Sequence, residues 1–137
     1  MNGLRLEIGQ RARRSKTVTA RDVELYTEIT GDRNPLHFDP EFAARTRFGR
    51  LVAQGGITAG MLNALVAMDL PGPGTVFMSQ SLRYLAPTYL GDTLTAEVEV
   101  LAVKPDKPVC QLKATITNQD GTVVLEGECW TYTLRPK

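Results

Sequence analysis

The chain is poor in the residues that mark metal and disulfide proteins: its 137 residues include two cysteines and one histidine. Cys110 and Cys129 stand in no metal-ligand spacing, and one imidazole leaves little else from which to build a zinc site. No metal is therefore expected. A surplus of one charge is also lacking. Lys and Arg number 16 against 15 Asp and Glu, a net charge of +1. Such a balance supplies no bulk attraction for nucleic acid or an anionic membrane. No run approaches ~18 unbroken apolar residues, so no membrane-spanning helix is expected. Met1 to Gly9 holds no apolar stretch of signal-peptide length, and cytoplasm with reduced thiols is the expectation. No repeat, low-complexity tract or linker interrupts the chain, whose length fits one domain over residues 1–137. With 42% apolar and 23% charged residues, the composition is ordinary for a globular protein.

Local patterns then divide the chain. Thr19 can cap a helix, and Asp22 falls where an acid suits the helix dipole. Val23, Leu25, Tyr26 and Ile29 form an apolar stripe at helical spacing, and Gly31 is a stop. A helix over about 20–30 is predicted. Pro35 pushes Asn34 out of the α region, so Asp32 to Asp39 reads as an extended loop or turn. Asp39-Pro40-Glu41 reads as a second helix start, running to about Thr46. A third helix, about 57–69, is apolar nearly all round, with Met61, Leu62, Leu65 and Met68 on one face; such a helix is a buried one.

The remainder alternates with period two. Strands are predicted over Thr75–Ala86, about Leu94–Ala102, about Cys110–Thr117 and Thr122–Leu134, after a short N-terminal strand. Asp120-Gly121 as a two-residue hairpin loop pairs Leu112 with Cys129 and makes Cys110 a diagonal neighbour of Cys129, too distant for a disulfide. Two buried free thiols are expected. The fold class is α+β, with one buried helix covering an antiparallel sheet. A sheet wrapped around that helix is the hot-dog arrangement, though another α+β layout gives the same pattern.

One loop carries candidate chemistry. A carboxylate and an imidazole suit the acid–base work of adding water to an enoyl thioester. Asp32 and His37 would face apart on a regular helix, but the Asn34-Pro35 break can fold both onto one water, with Asn34 fixing the loop. Asp32 also suits a simple turn, and a lone histidine also suits a structural role. Gly55-Gly56 opens the buried helix, where free N–H groups can receive negative charge developing on a thioester oxygen. Close backbone packing explains the same glycines.

The stretch Gly31-Asp32-Arg33-Asn34-Pro35-Leu36-His37-Phe38-Asp39 closely resembles the hydratase-2 motif of MaoC-like, (R)-specific enoyl-CoA hydratases. The resemblance continues through Phe48 to Gly55, Leu70 to Gly74, Gln80 to Tyr84 and Pro87 to Asp92, covering nearly the whole chain in order. The short length is similar to the PhaJ type, which supplies (R)-3-hydroxyacyl-CoA to polyhydroxyalkanoate synthesis. The resemblance implies a hot-dog fold and a homodimer that closes its acyl-CoA sites between subunits. It implies an enoyl-CoA or 3-hydroxyacyl-CoA substrate and no cofactor. Asp32 and His37 would share the catalytic water, the Gly55 N–H would meet the thioester oxygen, and Asn34 would hold the loop. Many relatives read Ala-His-Gly where this chain has Ala53-Gln54-Gly55, and often carry Met at the place of Gly56. Gln54, Gly56 and Leu62 are thus candidate substrate-lining residues. Arg83 and the cluster Arg11, Arg13, Arg14 and Lys16 could meet CoA phosphates, although solvated positions explain them as well. Rival readings are a thioesterase or carrier-protein dehydratase of the same fold, and a non-catalytic acyl-binding partner subunit.

Overall fold

Every alternating stretch of the sequence becomes a strand of one antiparallel sheet. The computed structural model describes residues 4–136, so Met1 to Gly3 and Lys137 of the expected domain lie outside the described residues. The order is β1 (Arg11–Thr17), α1 (Ala20–Thr30), α2 (Pro35–Phe38), α3 (Pro40–Ala44), α4 (Gly55–Met68), β2 (Thr75–Tyr84), β3 (Thr93–Val103), β4 (Val109–Thr117) and β5 (Val123–Thr133). The strands lie in the order β1-β3-β4-β5-β2, leaving β1 and β2 as edges.

Burial follows the alternation. Leu94, Ala96, Val98 and Val100 on β3 and Leu112, Ala114 and Ile116 on β4 are sealed from solvent. Met61, Leu62, Leu65 and Val66 of α4 join them in one core, so the helix covers the sheet face in a hot-dog fold. Met68 departs from the expected stripe and is exposed.

Helix α1 matches its expected bounds because both ends are specified locally. Thr19 and Asp22 form a reciprocal capping box, and Gly31 ends the helix in the left-handed region at φ 80°. Asp22 feels an upward push from burial, but bonds from Thr19 and Lys16 hold its carboxyl below the usual range. Its buried face, however, is Val23 and Thr27, while Ile29 is 82% exposed. Helix α4 starts two residues earlier than predicted, with Gln54 as its N-cap and Gly55 and Gly56 inside the first turn.

The β4–β5 turn also differs. Gly121 N–H donates to Asn118 O (3.1 Å), and Asn118 N–H donates to Thr122 O (2.9 Å). The turn therefore centres on Gln119 and Asp120, with Gly121 following at φ 78°. A three-residue loop ending in a left-handed glycine replaces the expected two-residue loop. A register shift between Ile116 and Thr117 compensates, and Leu112 still pairs with Cys129. Cys110 and Cys129 are buried free thiols. Burial, and then the neighbouring Cys110, pushes the Cys129 thiol up to about 12.

Candidate active site

The segment after α1 is less extended than its proline suggests. Asn34 takes the extended backbone required before Pro35, and Pro35 then opens the one-turn helix α2, where its missing N–H costs nothing. Asn34 caps that turn by accepting the Leu36 N–H at 3.1 Å. Its own N–H donates to Asp32 Oδ1 at 3.1 Å. The loop-orienting residue thus grips the carboxylate through its backbone. The helical turn swings His37 back toward Asp32, and His37 Nε2 lies 3.5 Å from Asp32 Oδ2.

The imidazole is fixed from behind. His37 Nδ1 lies 2.6 Å from Val52 O. A carbonyl only accepts, so Nδ1 carries the proton and donates, and Nε2 is the atom presented to Asp32. The two side chains differ in exposure, 9% for His37 and 38% for Asp32. A buried imidazole beside a half-open carboxylate is suited to holding one water between them.

An apolar cleft of about 370 Å³ abuts this pair, lined by residues that include Leu36, Ala53, Gly55, Thr58, Tyr84 and Ala86. The pair itself lies beside the cleft rather than in its wall, separated by the Leu36–Val52 contact (Val52 N–H to Leu36 O, 3.1 Å). Gly55 is in the wall. As the first residue of α4 its N–H has no acceptor within the helix, and no side chain caps that end. The packing explanation for Gly55 holds too: a methyl there would lie 2.8 Å from the Tyr84 ring.

Three other candidates face elsewhere. Leu62 is 2% exposed and belongs to the core. Gln54 is equally buried and its amide N–H groups bond to Val23 O (3.3 Å) and Thr27 Oγ1 (3.0 Å), so it braces α1. Gly56 packs against α1 and is not among the residues lining the cleft. A methyl built on it would fall 1.7 Å from the Tyr26 hydroxyl, so a tyrosine already fills that space. The basic residues of β1 are also engaged: Arg11 with Glu99, Arg13 with Glu97, Arg14 with Asp69 and Lys16 with Asp22. Arg83 pairs with Glu126. The sequence reading passed over Arg47 and Arg50. Arg47 lines the cleft, Arg50 stacks on Tyr89 at 4.0 Å, and neither has a carboxylate partner among the described residues. Their spacing about Phe48-Gly49 was the available signal.

The fold and the site together define a hot-dog protein with a carboxylate–imidazole pair beside an apolar cleft. Residues 5–124 match the family model described as MaoC like domain, and the chain belongs to that family. The (R)-specific enoyl-CoA hydratase of Aeromonas caviae is 41% identical over 128 residues, 93% of this chain and 96% of its own length. The 3-hydroxybutyryl-CoA dehydratase of Methylorubrum extorquens is 43% identical over 123 residues, 90% of this chain and 78% of its own. A solved structure described as the (R)-hydratase from A. caviae involved in PHA biosynthesis superposes with a TM-score of 0.91 at 40% identity, covering 95% of this chain and 98% of that one.

Proposed function

We propose that the protein is an (R)-specific enoyl-CoA hydratase, adding water to trans-2-enoyl-CoA to give (R)-3-hydroxyacyl-CoA, and running in reverse as a dehydratase. The observation that carries this reading is the 3.5 Å approach of Asp32 Oδ2 and His37 Nε2, each fixed on its far side by a backbone group. Water held between them attacks the β-carbon and gives its proton to Asp32. Electron density moves to the thioester oxygen, which the Gly55 N–H receives as an enolate. His37, entering the cycle with a second proton on Nε2 beside the Asp32 carboxylate, delivers that proton to the α-carbon on the same face. Asp32 then returns its proton to His37 across the short gap, and the pair is restored. Both steps are general acid–base chemistry, with Asn34 holding the carboxylate. Arg47 at the cleft is placed to meet an anionic part of the CoA moiety.

Two copies of the chain would pair through β2. This edge strand exposes Val76 and Met78, whereas the opposite edge, β1, carries Arg11, Arg13, Arg14 and Lys16. A charged edge resists strand addition and an apolar one invites it. A cytoplasmic enzyme supplying (R)-3-hydroxyacyl-CoA for polymer synthesis is the physiological setting this reading favours.

The test is purified protein with crotonyl-CoA, followed by loss of the conjugated enoyl-thioester absorbance with a thiol reagent in parallel. Absorbance loss without free thiol, yielding (R)-3-hydroxybutyryl-CoA on chiral analysis, is expected. Release of thiol marks a thioesterase. No change with crotonyl-CoA, with longer enoyl-CoAs and with enoyl carrier protein refutes the hydratase reading.

A further inference from the structure

We infer that Thr27 and Gln54 are positioning residues that tie the acid–base loop to the oxyanion end of α4; the inference rests on the hydratase reading of that site. Gln54 is the N-cap of α4 and immediately precedes Gly55. Its buried side chain reaches away from the cleft into α1, where Nε2 donates to Val23 O at 3.3 Å and to Thr27 Oγ1 at 3.0 Å. Thr27, 3% exposed, in turn donates its hydroxyl proton to the backbone carbonyl of Asp32 at 2.8 Å. The direction of this relay is forced. The two amide protons of Gln54 face oxygen atoms, so the Thr27 hydroxyl accepts on that side, and its single proton is left for Asp32 O.

The relay joins two groups that the reaction needs at a fixed separation. Asp32 takes the proton of water at the β-carbon, and Gly55 meets the thioester oxygen three bonds further along the substrate. Asp32 lies in the loop after α1 and Gly55 opens α4, and at Gly56 the two helices meet through the Tyr26 ring and its hydroxyl. The other bonds to Asp32 come from neighbours in sequence: Thr30 Oγ1 accepts its N–H, and Asn34 N–H holds Oδ1. The carboxylate of Asp32 is tied to the segment before α4 through His37 and Val52 O, and its backbone is tied to the start of α4 through the Thr27 hydroxyl and Gln54. The Gln54 amide makes its bonds through Nε2 while Oε1 is buried without a partner among the described residues, so the position of Asp32 depends on the donor links through Thr27 and shifts when one is lost. A displacement of ~1 Å between reacting groups is enough to cost about 10²-fold in rate.

The experiment compares Thr27→Val, Thr27→Ser, Gln54→Met and the Thr27→Val/Gln54→Met double variant with wild type. Thr27→Val keeps the shape and removes the proton. It is expected to lower kcat for crotonyl-CoA by roughly 10–100-fold with KM nearly unchanged. Thr27→Ser retains the hydroxyl and most of the turnover. Gln54→Met loses a similar factor, and the double variant loses little more, because one relay is cut twice. His37 is the chain's one histidine, so its ring signals in an NMR spectrum are assignable without ambiguity. They are expected to move in Thr27→Val and to return in Thr27→Ser, whether or not the chain hydrates crotonyl-CoA. Wild-type turnover together with an unaltered kcat in Thr27→Val overturns the relay, as do equal losses in the Val and Ser variants or additive losses in the double variant. An inactive wild type with His37 signals that respond as expected would instead sink the hydratase reading and leave the relay standing. An inactive wild type with unresponsive signals would sink both.

Discussion

Gly56→Ala should destabilise the protein although alanine is the better helix former. In an unhindered first turn the exchange would gain up to ~1 kcal/mol. Here the added methyl would lie 1.7 Å from the Tyr26 hydroxyl oxygen, 2.2 Å from Cζ and 2.7 Å from Cε1. The half-buried ring must therefore move by more than an ångström, and overpacking of this size costs about 1–3 kcal/mol. The sum is a net loss of up to ~2 kcal/mol, or several degrees in Tm at roughly 4 °C per kcal/mol for a chain of this size. Tyr26→Ala removes the obstacle. In that background the same Gly56→Ala change should stabilise, giving a coupling of about 1–3 kcal/mol in a double-mutant cycle. Thermal and urea unfolding of the four proteins would measure it. A rise in Tm for Gly56→Ala in the wild-type background would refute the reasoning, since it would mean that Tyr26 swings aside freely.

Asp32→Asn and His37→Ala should each lower hydratase kcat by ~10²–10⁴-fold while leaving the circular dichroism spectrum and Tm close to wild type. Near-normal turnover in either variant would remove that residue from its assigned role. Thr19→Ala should cost about 1 kcal/mol at neutral pH through loss of the α1 cap. Asp22 has a folded pKa below its unfolded value, so its stabilisation is full above about pH 4 and fades as pH falls below that. The Tm deficit of Asp22→Asn should shrink over the same acid range, and a deficit independent of pH would contradict the sign. Met78→Glu places a charge on the exposed β2 edge and should shift sedimentation toward monomer, with no effect if the copies pair elsewhere.

Much of the candidate site was legible before any coordinates. The sequence placed α1 at about 20–30, where it lies, because capping box and left-handed glycine are local devices with their own hydrogen bonds. It also specified the strand faces, because period-two burial depends only on alternation, as at Leu94, Ala96, Val98 and Val100. Asp32, Asn34 and His37 were singled out together because Gly31 to Asp39 resembles the hydratase-2 motif; the proline break only allowed their side chains to converge. Other features came from contacts between distant segments. Nothing local says that Val52 accepts from His37 across fifteen positions, or that Gln54 reaches back to Thr27 across twenty-seven. The role of Gly56 was misjudged because its partner, Tyr26, lies on another helix. The basic run on β1 looked free until pairing with β3 and packing near α1 and α4 set an acid against each member. Sequence by itself determined the strands, the helices other than α2, and the chemical types at the site, since these follow from short-range hydrogen bonding and burial periodicity. Tertiary structure alone decided which atoms meet, since that depends on the packing of α4 against α1 and the sheet.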